Sequence, residues 1–182
     1  MFKYAFIENV AGASPENYSF VYENEESYNL VAGTDNDEMT EELVKKLAGE
    51  GFELIDLCGY FDDEAAEKLR RAAGGGIEIT HASYLPEEQK KNDALESFKE
   101  FGVIIVMDGV EETQRFSLSN EDCNTYVRFT KDMEAAKAAA KELADQGVYF
   151  IELCSYFDKE KVLEIIDAVD AKIPVGSCGD LK

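Results

Sequence analysis

Ile55-Asp56-Leu57-Cys58-Gly59-Tyr60-Phe61-Asp62 is written a second time, with small changes, as Ile151-Glu152-Leu153-Cys154-Ser155-Tyr156-Phe157-Asp158. The two cysteines lie 96 positions apart (154 − 58), and at that offset the agreement runs outward without a gap. Phe2-Lys3 meets Phe98-Lys99, Phe20 meets Phe116, Thr34 meets Thr130, Gly51 meets Gly147 and Ile77 meets Ile173. A unit of this length used twice is a duplication, because a solenoid needs shorter and more numerous repeats. Within each copy the phrase reads as a strand that runs out into a loop, with the aspartate placed to cap the following helix.

Working outward from the phrase gives the rest of the first copy. Lys3 to Glu8 reads as a strand, and Ala11 to Pro15 as turn material. Tyr18–Tyr22 and Tyr28–Ala32 form a hairpin across a polar connection. Thr34-Asp35-Asn36-Asp37 supplies caps for a helix whose Met39, Leu43 and Leu47 share one stripe, and Gly51 stops it. Strand 52–58 follows, then a helix started by Asp62 and ended by Gly74-Gly75-Gly76, then strand Ile77–His81. The order β, ββ, α, β, α, β implies mainly parallel pairing with right-handed crossovers and helices covering the sheet. The fold class is therefore α/β, two tandem copies of one unit related by a pseudo-two-fold axis, as in a fused homodimer. The boundaries read 1–85 for the first repeat, 86–97 for a charged linking helix opened by Pro86, and 98–182 for the second repeat. Ile165 and Ile166 in the second copy's last helix, against Leu69 and Arg70 in the first, predict that this helix is the more deeply buried.

Thirty-nine acidic against eighteen basic residues leave a formal charge of −21, which repels polyanions. Nucleic acid and anionic membrane are excluded as partners on that ground, since both are held largely through Lys and Arg. No apolar run approaches the roughly 20 residues needed to span a bilayer. The chain opens directly on strand-like sequence, so a cytoplasmic location is expected. Cys58, Cys123, Cys154 and Cys178 are too few and too scattered for a disulfide scaffold, and reduced thiols are expected. One histidine, His81, and no C-x-x-C pair rule out the usual zinc sets.

Side chains alternate along a strand, so Asp56 shares a face with Cys58, and Glu152 with Cys154. An acid inside an otherwise apolar strand has to be solvated, paired or protonated. One reading makes Asp56 and Glu152 ligand anchors or acid/base groups; the other makes them structural residues bonded to neighbouring donors. Cys58 and Cys154 stand where a parallel strand ends, the side of open α/β sheets on which ligands bind. A carboxylate two residues away disfavours the thiolate, so they read as packing residues rather than nucleophiles. His81 ends the neighbouring strand within reach of a Cys58–His81 dyad, and the second copy has Ser177 and Cys178 there instead. Candidate ligand-binding residues are thus Asp56, Cys58, Gly59, Tyr60 and His81, with Glu152, Cys154, Ser155, Tyr156 and Cys178 in the second copy.

At the repeated phrase, and at Ile173-Pro174-Val175-Gly176, the sequence resembles a family of short bacterial proteins of unknown function. Their core is I-E-L-C-G-G-F-like, with a later V-P-V-G-like strand, and they carry a single copy of this unit. The resemblance implies the architecture of each half and no activity. The first copy lacks the Pro-Val-Gly signature, and the paired glycines become Gly59-Tyr60 and Ser155-Tyr156, which narrows or reshapes any pocket there. The leading expectation is a small-molecule or partner site at the strand ends of each repeat. The alternatives are an isomerase- or lyase-like enzyme using Asp56 and Glu152 with Cys58 and His81, and an assembly module whose acidic face meets a basic partner.

Overall fold

The computed structural model describes residues 1–182. The chain divides into two compact units, Met1–His81 and Ala82–Lys182. The first holds β1 (Phe2–Asn9), β2 (Ser19–Glu23), β3 (Ser27–Thr34), α1 (Asp37–Gly49), β4 (Leu54–Leu57), α2 (Asp63–Ala72) and β5 (Glu78–His81). The second opens with α3 (Pro86–Asp93) and repeats the plan as β6 (Glu100–Val106), β7 (Gln114–Ser119), β8 (Asn124–Thr130), α4 (Met133–Gln146), β9 (Phe150–Leu153), α5 (Lys159–Ala168) and β10 (Val175–Ser177). Each unit is a five-stranded sheet, in the orders β2-β3-β1-β4-β5 and β10-β9-β6-β8-β7. Only the hairpin strands β2 and β7 run antiparallel to their neighbours.

Local chemistry sets the element ends. Asn36, Asp62, Asp132 and Asp158 each cap a helix by accepting a backbone N–H three residues on, which satisfies an orphan donor of the first turn. Gly147 closes α4 in the left-handed conformation at φ 99°. The linking helix stops at Asp93, short of the expected end at Ser97; its N-cap is Leu85, which offers no side-chain acceptor, and only Glu88 of it is buried.

The gap-free match is corrected by the register. Phe6 stands opposite Val31 and Asp56, and Val103 opposite Val127 and Glu152. Phe6 therefore answers to Val103, 97 positions on (103 − 6), while Val31 and Asp56 keep the offset of 96. One residue is gained before β6 and lost again before β7, so the identity of Phe2-Lys3 with Phe98-Lys99 is coincidental. The expectation for the last helix is also corrected. Val162 and Ile165 are the buried residues of α5, as Ala66 and Leu69 are of α2, and Leu163 is 49% exposed.

Strand parity divides each sheet into two faces with different tasks. Both helices of the first unit lie on the face that carries Thr34 and His81, because Thr34 bonds Thr40 of α1 and His81 bonds Asp63 of α2. Ala5, Ile7, Ile55, Leu57 and Ile79 share that face and are essentially inaccessible, forming an apolar core under the helices. The opposite face carries Tyr4, Phe6, Glu8, Asn29, Val31 and Asp56, all fully buried as well. The Tyr18 ring packs on this face, so close to Gly33 that a Cβ there would stand 2.7 Å from it.

Candidate functional site

The acid of the repeated phrase is sequestered in both units. Asp56 is 0% and Glu152 1% exposed. Asp56 Oδ2 accepts from the Tyr4 hydroxyl at 2.8 Å and Oδ1 from the Thr80 hydroxyl at 2.6 Å. The register explains both bonds, since β4 lies between β1 and β5 and Thr80 stands directly opposite Asp56. The second unit lacks both donors: Phe101 takes the place of Tyr4, and Gly176 stands opposite Glu152. Its hydroxyl comes instead from Tyr84, which donates to Glu152 Oε2 at 2.8 Å. A Cβ on Gly176 would lie 2.6 Å from Tyr84 Cζ, so the glycine is what admits the ring. The approach is fixed by a bridge between Ser83 and Ser177 and by Glu88 Oε1, which accepts from the Val175 N–H at 3.1 Å.

Cys58 and Cys154 are buried, and each Sγ accepts a backbone N–H, from Asn9 at 3.3 Å and Val106 at 3.4 Å. The thiols thus satisfy backbone donors at the ends of β1 and β6. His81 points to the helix face, with Nε2 2.6 Å from Asp63 at the start of α2, whereas Asp56 points to the other face. In the second unit Ser177 donates to the Phe157 carbonyl at 2.7 Å, and Cys178 is buried with its N–H on Leu153 O. The sequence candidates therefore separate into a buried set, around Asp56 and Glu152, and an accessible set at the loop. Tyr4, Thr80 and Tyr84 were not among the candidates; the only signal for Tyr84 was a glycine in a strand, which marks a close approach.

The accessible set borders a cleft. Tyr60 is 60% exposed and stacks edge-on against the buried Phe61 at 5.1 Å. Beside it, between α1 and α2, lies a cleft of about 360 Å³ lined by Asp37, Thr40 and Glu41 of α1, the Tyr60–Asp62 loop, and Ala65, Lys68 and Arg71 among the residues of α2. Glu41 bridges to Lys45 at 2.8 Å and to Lys68, across the cleft, at 3.6 Å. The Lys45 hydrogen bond holds the Glu41 carboxyl below the usual carboxylate range. A second recess, of about 510 Å³, lies at the other end of the same helices, lined by Gly51, Phe52, Gly75 and Gly76 among others. No group of three or more His, Cys, Asp or Glu side chains is placed to hold a metal ion.

Two mostly parallel α/β sheets in tandem, each with a buried strand-end acid and a loop that caps the next helix, define a duplicated α/β protein. The chain belongs to the family of unknown function (DUF6506), which matches it twice, over residues 2–97 and 99–179. No curated protein matches the chain. Among solved structures it is similar to an ABC transporter system solute-binding protein from Conexibacter woesei DSM 14684, at 12% identity and TM-score 0.31, over 96% of this chain and 69% of that one. It is similar too to an ABC transporter periplasmic solute binding protein from Actinobacillus succinogenes 130z with bound D-allose, at 11% identity and TM-score 0.30, over 96% and 77%. Likenesses this loose carry neither fold detail nor ligand across. No helix is long and apolar enough to cross a membrane.

Proposed function

We propose that the first unit binds a small polar molecule in the cleft between α1 and α2, where Gly59 and Tyr60 turn the chain at the end of β4. The observation that carries this reading is the cleft of about 360 Å³ beside the exposed Tyr60, at the carboxyl end of a parallel strand. Its volume suits a metabolite rather than a protein segment, and its charged lining favours a polar one. The four buried cysteines, none of them in a disulfide, fit a reducing, cytosolic setting. The proton-transfer alternative gains no comparable support, because Asp56 and Glu152 are inaccessible and engaged by hydroxyl donors.

A thermal-shift screen of amino acids, amines, sugars, nucleosides and organic acids tests the reading. A binder raises the melting temperature with the logarithm of the ratio of its concentration to its Kd. At least one class is expected to do so, with Tyr60→Ala weakening it about tenfold, the loss of about 1.4 kcal/mol. A screen without any stabilising compound, or a shift indifferent to Tyr60→Ala, would overturn it.

A further inference from the structure

The two units repeat the loop geometry closely and differ in one side chain that matters. Tyr156 meets Phe157 edge-on at 5.2 Å and 85°, as Tyr60 meets Phe61 at 5.1 Å and 89°. Asp158 Oδ1 accepts the Lys161 N–H at 3.1 Å, as Asp62 Oδ1 accepts the Ala65 N–H at 2.8 Å. Three residues past the cap the second unit therefore has Lys161 and the first has Ala65. Lys161 Nζ lies 5.0 Å from the centre of the Tyr156 ring and 3.0 Å from Asp158 Oδ2. An ammonium is thus held between the negative face of a phenol and the carboxylate oxygen not used by the cap. Asp158 raises the Lys161 pKa through their hydrogen bond, and the Lys161 backbone N–H and ammonium lower that of Asp158.

The second unit's loop is further closed by the chain's last residues. Lys159 N–H donates to Asp180 O at 3.0 Å, and Gly179 lies so near Phe157 that a Cβ on it would stand 2.0 Å from the carbonyl oxygen. In the first unit the same phenol and carboxylate border the cleft, and the position of Lys161 is taken by Ala65, whose side chain is a single methyl group. Tyr60 is correspondingly more exposed, 60% against 41% for Tyr156.

We propose that the first unit's cleft recognises a small primary amine, whose ammonium sits on the Tyr60 ring beside Asp62 Oδ2 as Lys161 Nζ sits on Tyr156 beside Asp158. This rests on the cleft being the binding site and names the class it selects. Asp37, Glu41 and Glu64 add three further carboxylates to the same lining, against the two cations Lys68 and Arg71, of which Lys68 is already paired with Glu41. The second unit fills the equivalent position with its own side chain, so one chain offers one ammonium site.

The test is a titration of the full chain with n-butylammonium, a lysine side chain without its backbone, followed by amide NMR. 1-Butanol and butyrate serve as neutral and anionic partners of the same size. Butylammonium is expected to move the Tyr60, Asp62 and Ala65 resonances and to bind about tenfold more tightly than either control. Ala65→Lys, which installs the second unit's own residue, abolishes the response. Asp62→Asn retains a capping acceptor, removes the charge, and weakens the response severalfold. Equal or tighter binding of butanol or butyrate at Tyr60 would overturn the amine assignment and leave the cleft as a site for another class. The amine assignment fails in the same way if none of the three responds while a compound of the thermal-shift screen binds at Tyr60. Failure of every compound at Tyr60 would overturn both.

Discussion

A carboxylate without access to water is tolerated only where hydrogen-bond donors replace the water it loses. The two units meet that requirement differently: Asp56 takes hydroxyls from its flanking strands, and Glu152, one methylene longer, takes one from Tyr84 across Gly176. Tyr84→Phe keeps the ring and removes the donor. It is expected to cost about 2 kcal/mol in denaturant unfolding, the range for hydrogen bonds to charged groups. An unchanged midpoint would show that Glu152 does not depend on this hydroxyl. Strand parity in the sequence singled out both acids and posed the choice between anchoring a ligand and bonding to neighbours. It did not reveal Tyr4, Thr80 or Tyr84, because those partners depend on which strand lies beside which. The strand-end rule also put Asp56 together with Tyr60 and His81, although Asp56 faces away from the helices and His81 faces them.

At the scale of elements, periodicity and capping residues were enough to place the strands and helices of the repeated unit, since Asp62, Asp158 and the glycines act through local geometry, whereas Pro86 marked only the start of the uncapped α3 and not its end. The offset in β6 was not legible: two matching residues, Phe98 and Lys99, disguised a one-residue shift that only pairing exposes. The turns after α2 and α5 also diverge. Gly74, Gly75 and Gly76 have φ of 79°, 83° and 84°, while Asp170 and Ala171 hold 55° and 54° with side chains attached. Left-handed backbone is costly for alanine and free for glycine. Ala171→Gly is therefore expected to raise stability by about 1 kcal/mol, read from the denaturation midpoint. A loss of stability would mean that the left-handed conformation carries no strain there.

The join between hairpin and helix in the second unit has a pH signature. Glu142 on α4 accepts from Arg115 of β7 at 2.8 Å and from the buried Arg128 of β8 at 3.0 Å. The Arg115 hydrogen bond, supported by Arg128, lowers its pKa from 4.5 to about 2. A carboxylate depressed in the folded state stabilises fully above its unfolded pKa and loses the contribution as pH falls through the folded value. Glu142→Gln should then lower stability at neutral pH by about 1 kcal/mol, a figure discounted for solvent at this 37% exposed side chain. The difference from wild type should shrink between pH 4.5 and about 2. A constant difference across that window would assign the loss to packing instead of charge.

For the whole molecule, the duplication supplies two copies of one loop, of which the first is open and the second is filled by Lys161. A formal charge of −21 attracts cations from a distance, which suits an amine ligand and makes its association fall with ionic strength. Composition made that sign plain, but the difference between open and closed loops hinges on Ala65 against Lys161, a contrast without meaning until Tyr156 and Asp158 are seen around the ammonium. Hydrogen exchange in the presence of the tightest compound from the screen is the most direct check. Slowed exchange is predicted over residues 59–68 and along the start of α1, with residues 155–164 unchanged. Protection of 155–164 instead, or of neither stretch, would contradict a single open site in the first unit.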